Sequence, residues 1–124
     1  MYNEKRGMST PWGTCQNKTT IQRGIFTVST AGHGGLAVSR ALALRLFSRE
    51  TLRLAAIETK THFWFEEDCA ISIALVDSAS LLHAWCSVLN RNKAETHLSA
   101  IKSVERWYPD YYKGFKQVQL NEKS

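Results

Sequence analysis

Proline, cysteine and long apolar runs are all scarce in this chain, and each scarcity removes a class of protein. Only two prolines and 22% charged residues occur among its 124 positions, which argues against general disorder. The three cysteines, Cys15, Cys69 and Cys86, are an odd number at unrelated spacings. They outline neither a disulfide framework nor a zinc pattern, so three free thiols are expected. The longest apolar stretch, residues 69–76, is already interrupted by Ser72 and falls far short of the roughly 20 residues that cross a bilayer. Residues 1–13 contain Glu4, Lys5 and Arg6 and lack the apolar centre of a secretory signal. The resulting expectation is a reduced, cytoplasmic protein with no membrane partner.

What is present suits one domain. Apolar residues make up 44% of the chain, and a domain of this size buries roughly two-thirds of the surface its unfolded chain exposes. It needs no metal or disulfide simply to fold, and no cofactor is expected. Sixteen basic residues against eleven acidic ones leave a net charge of +5. That balance permits a nucleic-acid or acidic-protein partner without demanding one.

The pattern along the chain predicts an α+β fold, with a small N-terminal sheet (a hairpin plus one further strand) packed against about four helices. Residues 1–11 are polar and without period, a flexible terminus. Residues 14–22 and 25–30 are β-rich and separated by Arg23 and Gly24, which reads as a hairpin. Residues 31–35 hold three glycines around His33 and are expected as a loop. Residues 36–38 are extended, with Ser39 as a candidate N-cap. From there to Ile57, Leu42, Leu46, Phe47 and Leu54 recur at helical spacing, giving one helix or two broken near Ser48. Residues 61–65 form an aromatic strand. Helices follow: one beginning at the acids of residues 66–68, one capped by Ser78 or Ser80, and one opened by Asn92 and Glu95 in a capping-box spacing and ended by Pro109. A single domain over residues 12–115 and a polar tail over residues 116–124 complete the reading.

Three clusters could carry chemistry. In the first, Gly34 and Gly35 beside His33 would let a ligand or partner backbone approach, and the imidazole could serve as a base. The same glycines also suit a tight connection, and their spacing matches neither the phosphate loop nor the dinucleotide fingerprint. In the second, Glu66, Glu67 and Asp68 precede an apolar run, where acids complement a helix dipole. One of them could instead orient His33 if the strands before the two clusters run the same way. The third is Arg45, Arg49 and Arg53, four residues apart, which form a basic ridge if their helix is continuous. Such a ridge is either a solvated face or a docking strip for phosphates or acidic side chains. His62, His83 and His97 have no partner at metal-ligand spacing, there is no Gly-x-Ser-x-Gly elbow, and no metal site is expected.

Four segments occur in a telling order: Thr10-Pro11-Trp12-Gly13, then Ser29 to Gly35 around His33, then Trp64-Phe65-Glu66-Glu67-Asp68-Cys69, then Trp107-Tyr108-Pro109-Asp110. Over residues 12–112 the chain resembles an uncharacterised family of bacterial, phage and plasmid proteins, a domain of unknown function. Members of that family also occur as segments of large polyvalent mobile-element proteins. The family pattern carries a tyrosine just before the acids, where this chain has Phe65. The resemblance implies a genomic setting and no activity. Small proteins from that setting often block host defences such as CRISPR systems and restriction enzymes.

The reading that follows is a small non-catalytic binding protein of a phage or mobile element, acting in the host cytoplasm. It would dock on a host defence or nucleic-acid-processing complex through His33, Gly34, Gly35, the three acids and the three arginines. Two other readings stand beside it. One is a small hydrolase or transferase using His33 with Glu67 or Asp68. The other is a nucleic-acid-binding accessory domain, which rests on charge.

Overall fold

The computed structural model of the chain describes residues 8–123; of the terminus expected to be flexible over residues 1–11, residues 1–7 lie outside the described residues, and Ser9–Thr10 form a strand. The architecture is α+β. Two short strands, β1 (Ser9–Thr10) and β2 (Gly13–Thr14), pair as a separate hairpin. β3 (Asn17–Gln22), β4 (Ile25–Ser29) and β5 (Gly34–Ser39) then follow as a meander. Helices α1 (Arg40–Leu46) and α2 (Arg49–Ala55) lead to β6 (Ala56–Glu58) and β7 (His62–Glu66). The rest is helical: α3 (Ala70–Asp77), α4 (Ala79–Leu89), α5 (Lys93–Trp107) and α6 (Pro109–Lys123). The main sheet has the order β3-β4-β5-β7-β6 with every neighbouring pair antiparallel.

Period-two alternation sorts the strands between two cores. Ile25, Leu36, Val38, Phe63 and Phe65 face the helices and pack with Ile71, Ala74, Leu81 and Cys86. Phe26, Val28, Ala37 and Trp64 face the other way and are covered by Cys15, Met8 and Trp12 of the N-terminal segment. Phe65 is fully buried and meets Phe47 with ring centroids 5.0 Å apart. Burying a side chain of that size contributes about 1.5–3 kcal/mol. Cys15, Cys69 and Cys86 are all free, the first and third buried.

Local signals set several boundaries as expected. Gly24 turns β3 into β4 at φ +85°. Ser78 accepts from the Leu81 amide to cap α4, and Asn92 accepts from the Glu95 amide at 2.9 Å to cap α5. A boundary not anticipated from the sequence is Asn90, which ends α4 in the left-handed conformation at φ 55°.

Four expectations are corrected. Among the described residues the main sheet has five strands, because residues 34–39 are a strand throughout and Gly34 and Gly35 belong to it rather than to a loop. Over residues 39–57 the alternative of two helices broken near Ser48 is the one formed, and the correction is that residues 56–57 are strand: Phe47 turns extended (φ −118°, ψ 149°) to bury its ring, and Ser48 caps α2 through the Thr51 amide. The acids precede α3 instead of starting it, since Glu66 still pairs in the sheet and Cys69 is the N-cap. Pro109 ends α5 but also opens α6, where a missing N–H costs nothing, so residues 116–123 are helical. Tyr111 ties α6 to the body by donating to Asp77 Oδ1 at 3.0 Å, while Asp77 Oδ2 accepts from the Ser48 amide at 2.7 Å.

No single helix among the described residues is long and apolar enough to cross a membrane. Helices α3 and α4 together have the composition, but they meet at a 114° bend.

Candidate functional site

The two motif turns do lie at one end of the sheet. Strands β4 and β7 each run antiparallel to β5 between them, so they point the same way and deliver the His33 turn and the acidic turn together. Their contact is made by backbone. Gly35 is the register partner of Glu66, and the Glu67 amide donates to the Gly34 carbonyl at 3.0 Å. The glycines permit this closeness. A Cβ on Gly34 would stand 2.8 Å from the Val28 carbonyl oxygen and 2.9 Å from Glu67 Oε2. A Cβ on Gly35 would overlap the Trp12 ring and the Phe65 carbonyl. Trp12 in turn meets Trp64 edge-on, with ring centroids 6.0 Å apart.

The His33 turn is closed on itself. The Thr30 amide and hydroxyl both donate to the His33 carbonyl at 2.7 Å, and the His33 amide donates to Thr30 Oγ1 at 3.1 Å. The imidazole is exposed, and no hydrogen bond or ion pair joins it to Glu66, Glu67 or Asp68. The acid–base pair that a His33 mechanism requires is therefore not formed here. Among the described residues, no group of three or more His, Cys, Asp or Glu side chains is placed to hold a metal ion.

The acids part company. Asp68 is exposed, whereas Glu66 is half-buried and its charge is felt by Tyr108. The Tyr108 hydroxyl donates to Cys69 Sγ at 3.8 Å. Burial first, then that bond and the charges of Cys69 and Glu66, hold its pKa far above the ordinary tyrosine value. Tyr108 thus stays a proton donor that ties the last motif to the third. Glu67 borders two adjoining open cavities of about 400 and 250 Å³, which also share Ile71 and Trp85. Arg91 and Glu95 complete one rim and Thr19 and Thr27 the other. Trp85 reads in sequence as part of a core stripe, and only the packing of α3, α4 and α5 reveals its second surface.

The arginines are divided by the break at Phe47. Arg45 closes α1 and stands apart from the others, while Arg49 and Arg53 project one turn apart from α2. A continuous ridge of three is therefore absent. Arg49 and Arg53 instead line a groove of about 450 Å³ whose floor includes Leu52, Ala56 and Phe63. Arg40 joins them there, paired to Glu58 and stacked over Phe63 at 5.4 Å. Sequence reading missed Arg40 because its partner comes from a different strand. Neither Arg49 nor Arg53 has an ion pair among the described residues. Leu44, Leu54 and Ile57, on the same α1–α2–β6 segment, are 57%, 42% and 42% exposed.

With the geometry in place, the chain proves to belong to a family described as a domain of unknown function, DUF7007, whose model matches residues 5–124. No curated protein and no solved structure matches it at a significant level.

Proposed function

For this member of the DUF7007 family we propose a protein-docking role without catalysis, in which the domain engages a host defence or nucleic-acid-processing complex on behalf of a phage or other mobile element. The observation that carries the docking role is the groove of Arg49 and Arg53, which the 57% exposed Leu44 also lines. Arginine is the charged residue that interfaces enrich, and an exposed apolar side chain beside it gains from being covered. Two guanidinium groups without an ion pair can take bidentate carboxylate partners from another protein. The self-closed His33 turn supports the same reading, because its polar backbone is spent on shaping the loop.

Affinity capture from host lysate, quantified by mass spectrometry, tests the role. The unmodified protein is expected to recover a defence or nucleic-acid-processing complex, and the Arg49→Glu, Arg53→Glu double variant to recover it at least ~10-fold less. Equal recovery by both would overturn the assignment of the docking surface. Recovery that vanishes on nuclease treatment would instead favour the nucleic-acid-binding reading.

A further inference from the structure

The arginine groove borders a sheet edge, and we infer that β6 accepts an added β-strand from the partner, an extended segment with acidic side chains at alternate positions. This inference rests on the docking role proposed above and names the form of its partner. β6 is the last strand of the sheet order, so among the described residues one side of Ala56–Glu58 has no strand beside it. Its ladder is phased by the turn that follows: the Thr59 amide donates to the His62 carbonyl, and Ile57 lies opposite Trp64 two residues before. In an antiparallel ladder the residues directed at the neighbour alternate. Ile57 therefore spends its backbone groups on β7, and Glu58 directs its N–H and C=O outward. The Ala56 carbonyl also faces out, while its amide is already bound to the Leu52 carbonyl.

Both faces of this edge open into cavities. Ala56 and Glu58 border the arginine groove on the helix side. Ile57, between them, borders a cavity of about 400 Å³ on the opposite face, with Met8, Pro11 and Trp64 in its wall. A strand laid along β6 sends successive side chains to alternate faces. One set would enter the groove of Arg49 and Arg53, where carboxylates are complementary, and the other set would enter the largely apolar cavity, where aliphatic or aromatic groups fit. Strand addition to a sheet edge draws affinity from backbone bonds and specificity from such alternating pockets.

The opposite edge is built differently. β3 carries a register irregularity between Thr20 and Gln22 and exposed polar residues along its length, features that blunt an edge. A second copy of this chain is a poor occupant for β6, since pairing two such edges would bring two arginine grooves together.

The test is a titration of the isotopically labelled full chain with three synthetic octapeptides, followed by amide NMR. The first alternates Asp and Val, the second alternates Lys and Val, and the third is the Asp–Val peptide N-methylated at every other residue on its pairing side. Only the first is expected to bind, shifting the Ala56–Glu58 amides and slowing hydrogen exchange at Glu58. Arg49→Glu with Arg53→Glu should weaken it by at least ~10-fold. Equal binding by the N-methylated peptide, or shifts confined to arginine side chains, would overturn strand addition in favour of charge contact alone. Concentration-dependent dimerisation that protects Glu58 without peptide would overturn it in favour of a second copy. The two readings fail separately: loss of capture on charge reversal with no peptide binding sinks the strand and keeps the docking role. Peptide binding with charge-independent capture does the reverse.

Discussion

The turn end of the sheet and its arginine edge use their polar groups in opposite ways. At the turn end, Gly34, Gly35, Trp12 and Glu67 are pressed together, and the His33 turn satisfies its own backbone. At the edge, Arg49 and Arg53 stand over an open groove, and the backbone of Glu58 faces outward. The first region holds residues that look chemical and serve construction. The second has no recognisable motif, yet it combines charge, exposed apolar area and unused hydrogen-bonding capacity. A motif of glycines and acids can thus report a packing demand, while the surface proposed for docking is assembled from residues with no local signature.

That contrast can be broken most forcefully at Gly35. Replacing it by alanine forces the Trp12 ring and the Phe65 backbone apart, and backbone cannot yield cheaply. A loss of about 3 kcal/mol is expected in denaturant unfolding. A loss under about 1 kcal/mol would mean that the turn end is loose enough to be a binding site after all.

A smaller effect is expected where the helices close the body. Tyr111→Phe removes the hydrogen bond to Asp77, at a cost of about 1 kcal/mol near neutral pH. The pH dependence has a definite sign. Burial, with the charges of Asp77 and Glu50, pushes the Tyr111 pKa from 10.0 up to about 12. The unfolded chain therefore releases that proton first. The contribution is complete below pH 10 and is lost as pH rises through about 12. Unfolding of the Tyr111→Phe variant across this window should show a shallower decline than the unmodified chain. An equal slope would remove Tyr111 as its source.

The smallest changes in stability belong to the exposed side chains. His33→Ala and the Arg49→Glu, Arg53→Glu pair should each move stability by no more than about 0.5 kcal/mol. A larger loss from His33→Ala would reveal a structural contact for the ring and blur the distinction between the two regions.

How far the sequence discloses this molecule depends on the range of the interactions that decide each part. The caps at Ser78 and Asn92 act over three residues, and α4 and α5 were accordingly legible. The strand character of Gly34 and Gly35 was hidden, because their neighbours Trp12, Phe65 and Glu67 are remote in sequence and local propensity argues against glycine in strands. Convergence of the His33 and acidic turns could be anticipated from strand direction, but the absence of a bond between them could not. The Arg40–Glu58 pair and the groove beside it join α1, α2 and β6 across a break that periodicity left open. The helix Pro109–Lys123 was lost to reading proline as a terminator when it also suits a first helical position.

The central claim, that the arginine edge binds and the turn end builds, is tested most directly by one quantitative capture comparing three forms of the protein. These are the unmodified chain, the Arg49→Glu, Arg53→Glu variant, and a His33→Ala, Asp68→Asn variant that alters exposed side chains at the turn end. The account predicts that the second form loses the partner by at least ~10-fold while the third retains it. Loss of the partner by the third form, with full recovery by the second, would contradict it.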